Sequence, residues 1–407
     1  MMAAVTASRL RVPPAGLGLA LVGLLGLAVV AASASGSPLS PGRPESSDLP
    51  GIVFLAAAGA AFALYVLAIA VIRRRRPSLV VVCCVAAAVQ LIPLAGPLLL
   101  SRDVYAYWTY GRLVTAHDVN PYVVPPSAYG ADPGERQMAP AWRGTTSVYG
   151  PVFSAASAGL ATATGRSAET TAFSYRLLAA VGMLVVVGLA VVAAPVPAFA
   201  AAFVGWNPML ALDFAGGGHN DVWMVAFVLG ALALASRRRP VLAGASWALA
   251  VGVKWVPLVL LPLSLVAARG RYARLVAAGF LVTLAAIGAG ASLAFGSAWV
   301  TALVPLARHH AGFSLPSRLV ELGLPRPLAD LSAAAPLLLA LPWLLRDARA
   351  GRPRLALATG LMVIASPWVL PWYAVWIVPL AAIEEDRLAW VLALTVCAYL
   401  LPDRIPL

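Results

Sequence analysis

Apolar runs of about 20 residues recur through the chain of 407 residues, from near position 15 to near position 402. A run of this length carries an α-helix across the hydrocarbon core of a bilayer. The chain is 61% hydrophobic and 11% charged, whereas soluble domains carry roughly 25% charged residues. Because a bilayer offers no partners to backbone groups, segments that cross it must be helical or close into a barrel. The sequence therefore predicts an all-α, polytopic membrane helix bundle, not a soluble domain on an anchor.

The spacing of the runs sets the number of crossings. We expect about 11 to 13 transmembrane helices in one membrane domain, 1–407. Residues 1–36 could be a signal peptide, because Arg9 and Arg11 precede the first run, but the length of that run favours an uncleaved span. The segment 240–268 is too short for two full spans, so we expect a hairpin of two short helices broken at Lys254. The other spans are predicted near residues 14–35, 51–72, 78–100, 172–194, 197–213, 222–236, 275–296, 331–346, 355–370, 372–384 and 388–402.

Most arginines stand in short clusters between apolar runs, and the formal net charge is +13. Basic loops stay in the cytoplasm, so this pattern predicts a topology and argues against nucleic-acid binding. It puts the large loop 101–171, the turn around His219 and the segment 297–330 together on the extracytoplasmic side. Within the loop, 104–116 and 152–164 are expected to be short helices at the membrane surface. The clusters are Arg73–Arg76, Arg237–Arg239, Arg269–Arg274 and Arg346–Arg354.

The loop opens with SRDVYAYWTYGRL, residues 101–113, which places an acidic side chain directly after an apolar run. Asp103, like Ser101, would suit a helix N-cap; alternatively it is a general base at the mouth of a site. The aromatic residues behind it are of a type that stacks on sugars, although membrane interfaces also collect them. We predict that Asp103 is catalytic and that these aromatics bind the sugar or the acceptor. They are Tyr105, Tyr107, Trp108 and Tyr110.

A second polar group follows three glycines in AGGGHNDVWMV, residues 215–225. Glycines let the backbone turn sharply or approach a ligand closely. Asn220 and Asp221 would suit plain caps of the following helix, whose dipole favours an acidic group there. A His-Asn-Asp run behind three glycines is unusual for a cap alone. We therefore predict that His219, Asn220 and Asp221 also bind the sugar or the acceptor.

Basic residues supply candidates for phosphate binding. An ammonium inside a membrane costs ~2.5–3.5 kcal/mol, so Lys254 in GVKWVP either snorkels to an interface or holds an anion such as phosphate. The segment LARHHAGFSLPSRL, residues 306–319, adds four basic residues that either solvate a loop or bind the same phosphate. The predicted donor-phosphate ligands are Lys254, Arg308, His309, His310 and Arg318. No His, Cys or acidic residues show metal-ligand spacing, so neither a metal nor a cofactor is predicted.

In their order along the chain, these motifs resemble the C-type membrane glycosyltransferases. They are most similar to the actinobacterial mannosyltransferases of lipoglycan synthesis that use polyprenyl-phosphate mannose. The resemblance rests on SRDVYAYWTYGRL with Asn120–Tyr122 and Tyr149–Pro151, and then on GGGHND, GVKWVP and SPWVLPWYAVW. It implies a helix bundle with surface helices in the first large outer loop, a mannosyl group carried on a polyprenyl phosphate, and a glycolipid acceptor. It also implies that Asp103 is the base.

Residues and resemblance together predict an enzyme of the cytoplasmic membrane whose site faces outward. One carboxylate suffices for a single displacement with inversion, in which Asp103 deprotonates the acceptor and Lys254 stabilises the leaving phosphate. The expected partners are the lipid-linked donor, the glycolipid acceptor and membrane lipid, without nucleic acid. Three alternatives stay open: another lipid-linked sugar such as glucose or arabinose, a transporter or flippase of such a lipid, and a scaffold of envelope assembly.

Overall fold

The computed structural model describes residues 13–41, 46–301 and 310–406. Within these ranges all regular secondary structure is helical, which confirms the predicted all-α bundle. The α-helices are α1 (Pro14–Ser33), α2 (Leu49–Arg75), α3 (Leu79–Leu91), α4 (Asp103–His117), α5 (Pro133–Gln137), α6 (Pro151–Thr164), α7 (Ala168–Ala193), α8 (Pro197–Gly205), α9 (Pro208–Ala211), α10 (Asp221–Ser236), α11 (Pro240–Val253), α12 (Pro257–Ala268), α13 (Gly270–Phe295), α14 (Leu315–Glu321), α15 (Arg326–Arg349), α16 (Leu355–Ala365), α17 (Ala374–Glu384) and α18 (Arg387–Leu400).

Helices α1, α2, α7, α13 and α15 are each long and apolar enough to cross a membrane. The stretch Pro197–Gly205 and Pro208–Gly216, bent by 54°, is a sixth crossing if it counts as one span. The described residues also contain seven apolar helical stretches of 10–17 residues, shorter than the about 20 residues of a full crossing. Apolar helices therefore occur where the sequence predicts them. Five helices, or six with the bent stretch, have the length of a full crossing, and the seven shorter apolar stretches are further candidates for the about 11 to 13 spans expected.

The break expected at Lys254 is present. α11 ends at Val253 and α12 begins at Pro257, with Lys254 extended between them at φ −154° and ψ 142°. Proline suits the first helical position because its missing N–H has no helical partner to lose there. α11 packs mainly on α10 and α13, whereas α12 packs mainly on α15 and less closely on α13, α16 and α11. The two short helices thus have different main neighbours, and Lys254 lies in the gap between them.

The two short helices expected in the loop are α4 and α6, which pack on each other. A Cβ on Gly111 would lie 2.3 Å from the carbonyl oxygen of Ser157, so this approach depends on the missing side chain. Asp132 fastens the intervening segment to α4: its carboxylate accepts a hydrogen bond from Arg112 at 2.9 Å and lies 2.8 Å from Nε2 of His117. Burial acts to raise the pKa of Asp132, but Arg112 and His117 outweigh it and hold that pKa below its ordinary value. The loop is therefore an ordered, clamped unit beside the start of α4.

Candidate active site

A cavity of about 520 Å³ opens where α4 begins. Its wall is built by the loop after α4, by the break between α11 and α12, by the stretch between α16 and α17, and by the residues that follow α18. In the described part of the chain, Asp103 is the only carboxylate that lines the cavity, and the lining cations are Arg102, Lys254 and Arg404. The fold thus brings one acidic side chain and three basic side chains together from distant parts of the sequence.

Asp103 is the first residue of α4, but its side chain does not cap the helix. Its backbone N–H donates to the hydroxyl of Ser101 at 3.1 Å, so the carboxylate is left to face the cavity. The side chain is 24% exposed, and Oδ2 lies 3.5 Å from Nδ1 of His219. Burial acts to raise the pKa of Asp103, but the contact with His219 and the charge of Arg404 outweigh it and hold the pKa below the ordinary value of 3.8. The carboxylate is therefore ionised at neutral pH and able to accept a proton.

The triple glycine explains how His219 reaches Asp103. Gly218 has a φ of +77°, a left-handed conformation that favours glycine. A Cβ on Gly218 would lie 2.5 Å from Cγ1 of Val104, so the turn approaches α4 only because that side chain is absent. On its flat face the imidazole of His219 stacks on Trp372, with ring centroids 3.5 Å apart and planes at 14°. The glycines thus place a fixed imidazole directly behind the carboxylate.

Lys254 holds a carboxylate of the protein itself. Its Nζ donates to Oδ1 of Asp221 at 2.7 Å, and the indole N–H of Trp376 donates to the same oxygen at 2.7 Å. Asp221 is fully buried, whereas Lys254 is 14% exposed and lines the cavity. A buried carboxylate is costly unless it is paired. Lys254 therefore neutralises Asp221 and also contributes its side chain to the cavity wall.

Aromatic rings make up much of the remaining wall. Tyr107 and Tyr110 of α4 line it together with Tyr149, whose ring meets Tyr107 edge to face at 5.1 Å. Tyr373 and Trp376 also line it and stack on each other at 3.9 Å. The proline-rich aromatic segment before α17 is thus part of the cavity. Flat apolar faces with polar edges suit a bound sugar ring.

Two of the predicted aromatics lie away from the cavity. Trp108 is fully buried, and Tyr105 packs against the hydrophobic core. Residues three and four apart share one face of a helix. Asp103, Tyr107 and Tyr110 follow that spacing and face the cavity, whereas positions 105 and 108 fall on other faces. All four residues were predicted from their aromatic character, and the geometry of the helix decides which of them face the cavity.

The predicted group behind the glycines supports the cavity from outside. His219, Asn220 and Asp221 are almost fully buried and do not line the cavity. Each contacts a residue that does: Asn220 accepts a hydrogen bond from the hydroxyl of Tyr107 at 3.5 Å, and the others touch Asp103 and Lys254. The side chain of Asn220 does not cap α10, so the alternative that Asn220 is a plain side-chain cap is not what the structure shows.

The predicted phosphate ligands of the segment 306–319 that the structure describes do not line the cavity. Arg318 pairs with Glu321 at 2.8 Å, one turn along α14, and does not line the cavity. His310 is exposed and does not line it either. Arg308 and His309 lie outside the described residues. No group of three or more His, Cys, Asp or Glu side chains in the described ranges is placed to hold a metal ion.

Sequence reasoning missed Arg404 altogether and treated Arg102 only as a neighbour of Asp103. It also passed over Trp142, which lies in the Pro- and Gly-rich loop and lines the cavity. For Arg102 a signal existed, because it stands beside the predicted base. For Arg404 no periodicity, spacing or motif pointed to the cavity, and only the packing of the chain reveals it.

The fold and the cavity define a polytopic helical membrane protein whose site joins one ionised carboxylate, three cations and an aromatic wall. The chain belongs to the alpha-(1->6)-mannopyranosyltransferase family, because a model of the N-terminal domain of that family matches residues 16–270. The resemblance that the sequence motifs suggest is thereby confirmed at the level of the family.

Two relatives show the extent of the similarity. Alpha-(1->6)-mannopyranosyltransferase A of Corynebacterium glutamicum is 30% identical over 178 residues, which are 42% of this chain and 36% of the relative. A probable alpha-(1->6)-mannopyranosyltransferase of Mycolicibacterium smegmatis is 27% identical over 363 residues, which are 71% of this chain and 62% of the relative. The chain thus spans less than two thirds of the length of each relative. No solved structure matches it.

Proposed function

We propose that the protein transfers a mannosyl group from a polyprenyl-phosphate donor to a glycolipid or lipoglycan acceptor, with Asp103 as the general base. The observation that carries the proposal is the cavity, in which one ionised carboxylate stands among three cations. A base for the acceptor hydroxyl and positive charge for the leaving phosphate are what such a transfer requires. Membership of the family supports mannose as the sugar.

The proposed reaction is a single displacement. The acceptor hydroxyl gives its proton to the carboxylate of Asp103 while its oxygen forms a bond to the anomeric carbon of the donor. The bond between that carbon and the phosphate oxygen breaks, and the electron pair stays on the phosphate, which gains one negative charge. Arg102, Lys254 and Arg404 stand in the cavity wall where they can face that charge. Charge that develops in the transition state is thus met by groups already in place.

The stereochemistry follows from the number of carboxylates. Retention would require a second carboxylate as nucleophile, about 5–5.5 Å from the first. In the described residues Asp221 does not line the cavity, and it is buried and paired with Lys254. A single displacement inverts the anomeric centre, and the relatives are named for alpha linkages. We therefore expect a donor whose mannosyl-phosphate bond is beta.

Charge along the helices supports an extracytoplasmic site. α10 begins at Asp221, directly behind the cavity, and ends at Ser236, directly before the cluster Arg237–Arg239. α3 begins three residues after Arg76 and leads towards Asp103. The arginine clusters and the cavity therefore lie at opposite ends of the same helices. Since basic loops stay in the cytoplasm, the cavity would open on the outer face.

The test is a transfer assay with the purified full chain in nanodiscs, a radiolabelled beta-mannosyl polyprenyl phosphate and a glycolipid extract. We expect label in a new glycolipid with the native protein and a rate lower by about 10²- to 10⁴-fold with Asp103→Asn, because general-base catalysis is lost. Asp118→Asn, at the exposed far end of α4, is the matched control and should transfer normally. Near-normal transfer by a well-expressed Asp103→Asn protein would reject Asp103 as the base.

The same assay separates the competing functions. Transfer only from a glucosyl or arabinosyl donor would replace mannose as the sugar. Transfer from the alpha-linked mannosyl donor alone would reject inversion. A protein that moves labelled lipid across sealed vesicles, yet leaves the sugar on its carrier with every donor, would be a flippase.

A further inference from the structure

The residues that follow α18 form a short held turn beside the cavity. The N–H of Asp403 donates to the carbonyl of Leu400 at 3.0 Å, and the N–H of Ile405 donates to the carbonyl of Pro402 at 3.2 Å. Ile405 is buried in the main hydrophobic core, which anchors the turn. Arg404 has a φ of +69°, a left-handed conformation uncommon for a residue with a side chain. Such conformations persist where the surrounding structure imposes them, and they cluster at functional sites.

The guanidinium of Arg404 has hydrogen-bonding capacity to spare. Its one carboxylate neighbour in the described residues is Asp403, with Nε and Oδ1 4.0 Å apart, which is too long for a hydrogen bond. The Arg404 side chain is 43% exposed and lines the cavity, in which Asp103 also lies. Its charge reaches Asp103, on which it acts together with His219. In the described residues, Arg404 is therefore a cation in the same cavity as the proposed base, and its five N–H donors are not used up by the protein.

Lys254 is more strongly engaged than Arg404. Its ammonium is held at 2.7 Å by Asp221 and lies 4.8 Å from the ring centroid of Tyr373. Two of the three cations have a carboxylate partner outside the cavity wall: Asp221 lies 2.7 Å from Lys254, and Asp403 lies 4.0 Å from Arg404. A sugar phosphodiester carries one negative charge, and Arg404 is more available to it than Lys254 because its own partner is beyond hydrogen-bond distance. Arg102 and Arg404 each offer a planar fork that matches phosphate geometry, and Arg404 is among the groups whose charge acts on Asp103.

We propose that Arg404 binds the phosphate of the lipid-linked donor and faces the second negative charge that the phosphate gains as it leaves. This inference rests on the proposed function for the identity of the donor and names a residue of the same site. Arg404 donates two N–H groups to the phosphate oxygens, while Lys254 holds Asp221 and completes the positive wall. The C–O bond to the anomeric carbon breaks towards Arg404, and the acceptor proton moves to Asp103 on the other side of the reacting carbon.

The experiment compares native protein, Arg404→Gln and Arg404→Lys, each as the full chain in nanodiscs. Binding of polyprenyl phosphate and of the matching polyprenol, which lacks the phosphate, is measured by competition against a labelled donor analogue. We expect Arg404→Gln to weaken binding of the phosphate about 10- to 100-fold, the usual range for hydrogen bonds to a charged group. Binding of the polyprenol should stay unchanged. Arg404→Lys should fall between, because it keeps the charge but loses the fork.

Arg387→Gln is the matched control, because Arg387 is an exposed arginine at the other end of α18. It should bind polyprenyl phosphate as the native protein does. Native-like binding of polyprenyl phosphate by a folded Arg404→Gln protein would overturn the proposal, as would an equal loss for phosphate and polyprenol. If Arg404→Gln fails to fold, binding of polyprenyl phosphate by Arg404→Lys as tight as native would overturn the two-donor contact.

The binding readout keeps this inference separate from the proposed function. It contains no sugar, so loss of phosphate binding in Arg404→Gln would support Arg404 even if the native protein transferred no mannose. Conversely, normal mannosyl transfer together with native-like phosphate binding in Arg404→Gln would leave the transferase standing and reject the role of Arg404.

Discussion

Asp103 is surrounded by groups that act on its charge in opposite directions. Burial acts to raise its pKa, and the contact with His219 and the charge of Arg404 lower it by more. Three tyrosines lie near this negative charge: Tyr107, Tyr110 and Tyr149. Burial and the charge of Asp103 both raise the pKa of each hydroxyl, so the tyrosines stay neutral. A base with a lowered pKa is ionised at neutral pH. Its contribution to catalysis should be constant there and fall only as the pH drops through that lowered pKa.

His219 provides a direct test of this balance. In His219→Gln the contribution of the imidazole is lost while burial stays, so the pKa of Asp103 should rise and the acid limb of kcat/KM should move to higher pH. The measurement is kcat/KM for mannosyl transfer from about pH 3 to about pH 8, a range that reaches below the ordinary pKa of a carboxyl group. His117→Gln is the matched control: His117 pairs with Asp132 and does not line the cavity, so its acid limb should coincide with that of native protein. An unmoved limb in His219→Gln would mean that His219 does not set the charge of the base.

At the scale of elements, α4 positions the site because three of its faces have different tasks. One face turns Asp103, Tyr107 and Tyr110 to the cavity, another places Gly111 against α6, and Arg112 reaches the clamp on the loop. A rotation or shift of α4 would move the base relative to Lys254 and Arg404, since those cations lie on other elements. The packing of α4 on α6 is therefore part of the machinery, although no residue of α6 lines the cavity.

Gly111→Ala should break this arrangement. The added Cβ would lie 2.3 Å from a backbone carbonyl of α6, so the helices must separate, at a cost on the order of 1–3 kcal/mol. We expect a lower Tm in detergent and slower transfer. Gly159→Ala, on α6 itself, meets nothing within 4 Å and should leave Tm unchanged or slightly higher, because alanine favours a helix. Equal Tm values for the two variants would show that the close contact is not needed.

At the scale of the whole molecule, the cavity exists because the chain returns to one end of the bundle several times. The start of α4, the glycine turn before α10, the break after α11, the stretch before α17 and the turn after α18 all meet there. The arginine clusters lie at the other end of α3 and α10. The same separation underlies the proposed topology.

Cysteine labelling tests that topology in whole cells. In a background with the three native cysteines replaced, Ala128→Cys in the loop and Arg271→Cys in a basic cluster are both at exposed positions. A membrane-impermeant maleimide should label Ala128→Cys in intact cells and Arg271→Cys only after permeabilisation, as basic loops stay inside. The reverse pattern would put the cavity on the cytoplasmic face and would contradict an extracytoplasmic donor.

Many structural features of this protein can be predicted from local features of the sequence. Apolar length predicts where helices occur, arginine clusters predict a topology, and the change from apolar run to SRD marks the start of α4. The glycines before His219 indicate a close approach of the backbone to a neighbouring element, and the lone lysine at 254 indicates a break between two helices. These inferences hold because solvation, charge and backbone freedom act on each segment separately. The length of each helix is less predictable, because an apolar run does not show where proline or a charge will cut a helix short.

Packing alone decided which of these side chains share a cavity. It turned Tyr107 and Tyr110 inward and Tyr105 and Trp108 away, gave Lys254 the buried partner Asp221, kept Arg318 on Glu321, and brought Arg404 beside Asp103. The approach of Lys254 to Asp221 and that of Arg404 to Asp103 are not readable from spacing, because each joins residues far apart in the chain whose separation depends on how many helices pack between them. The apolar pattern thus determined that the chain would be a membrane bundle, and the tertiary structure determined which charges face one another inside it.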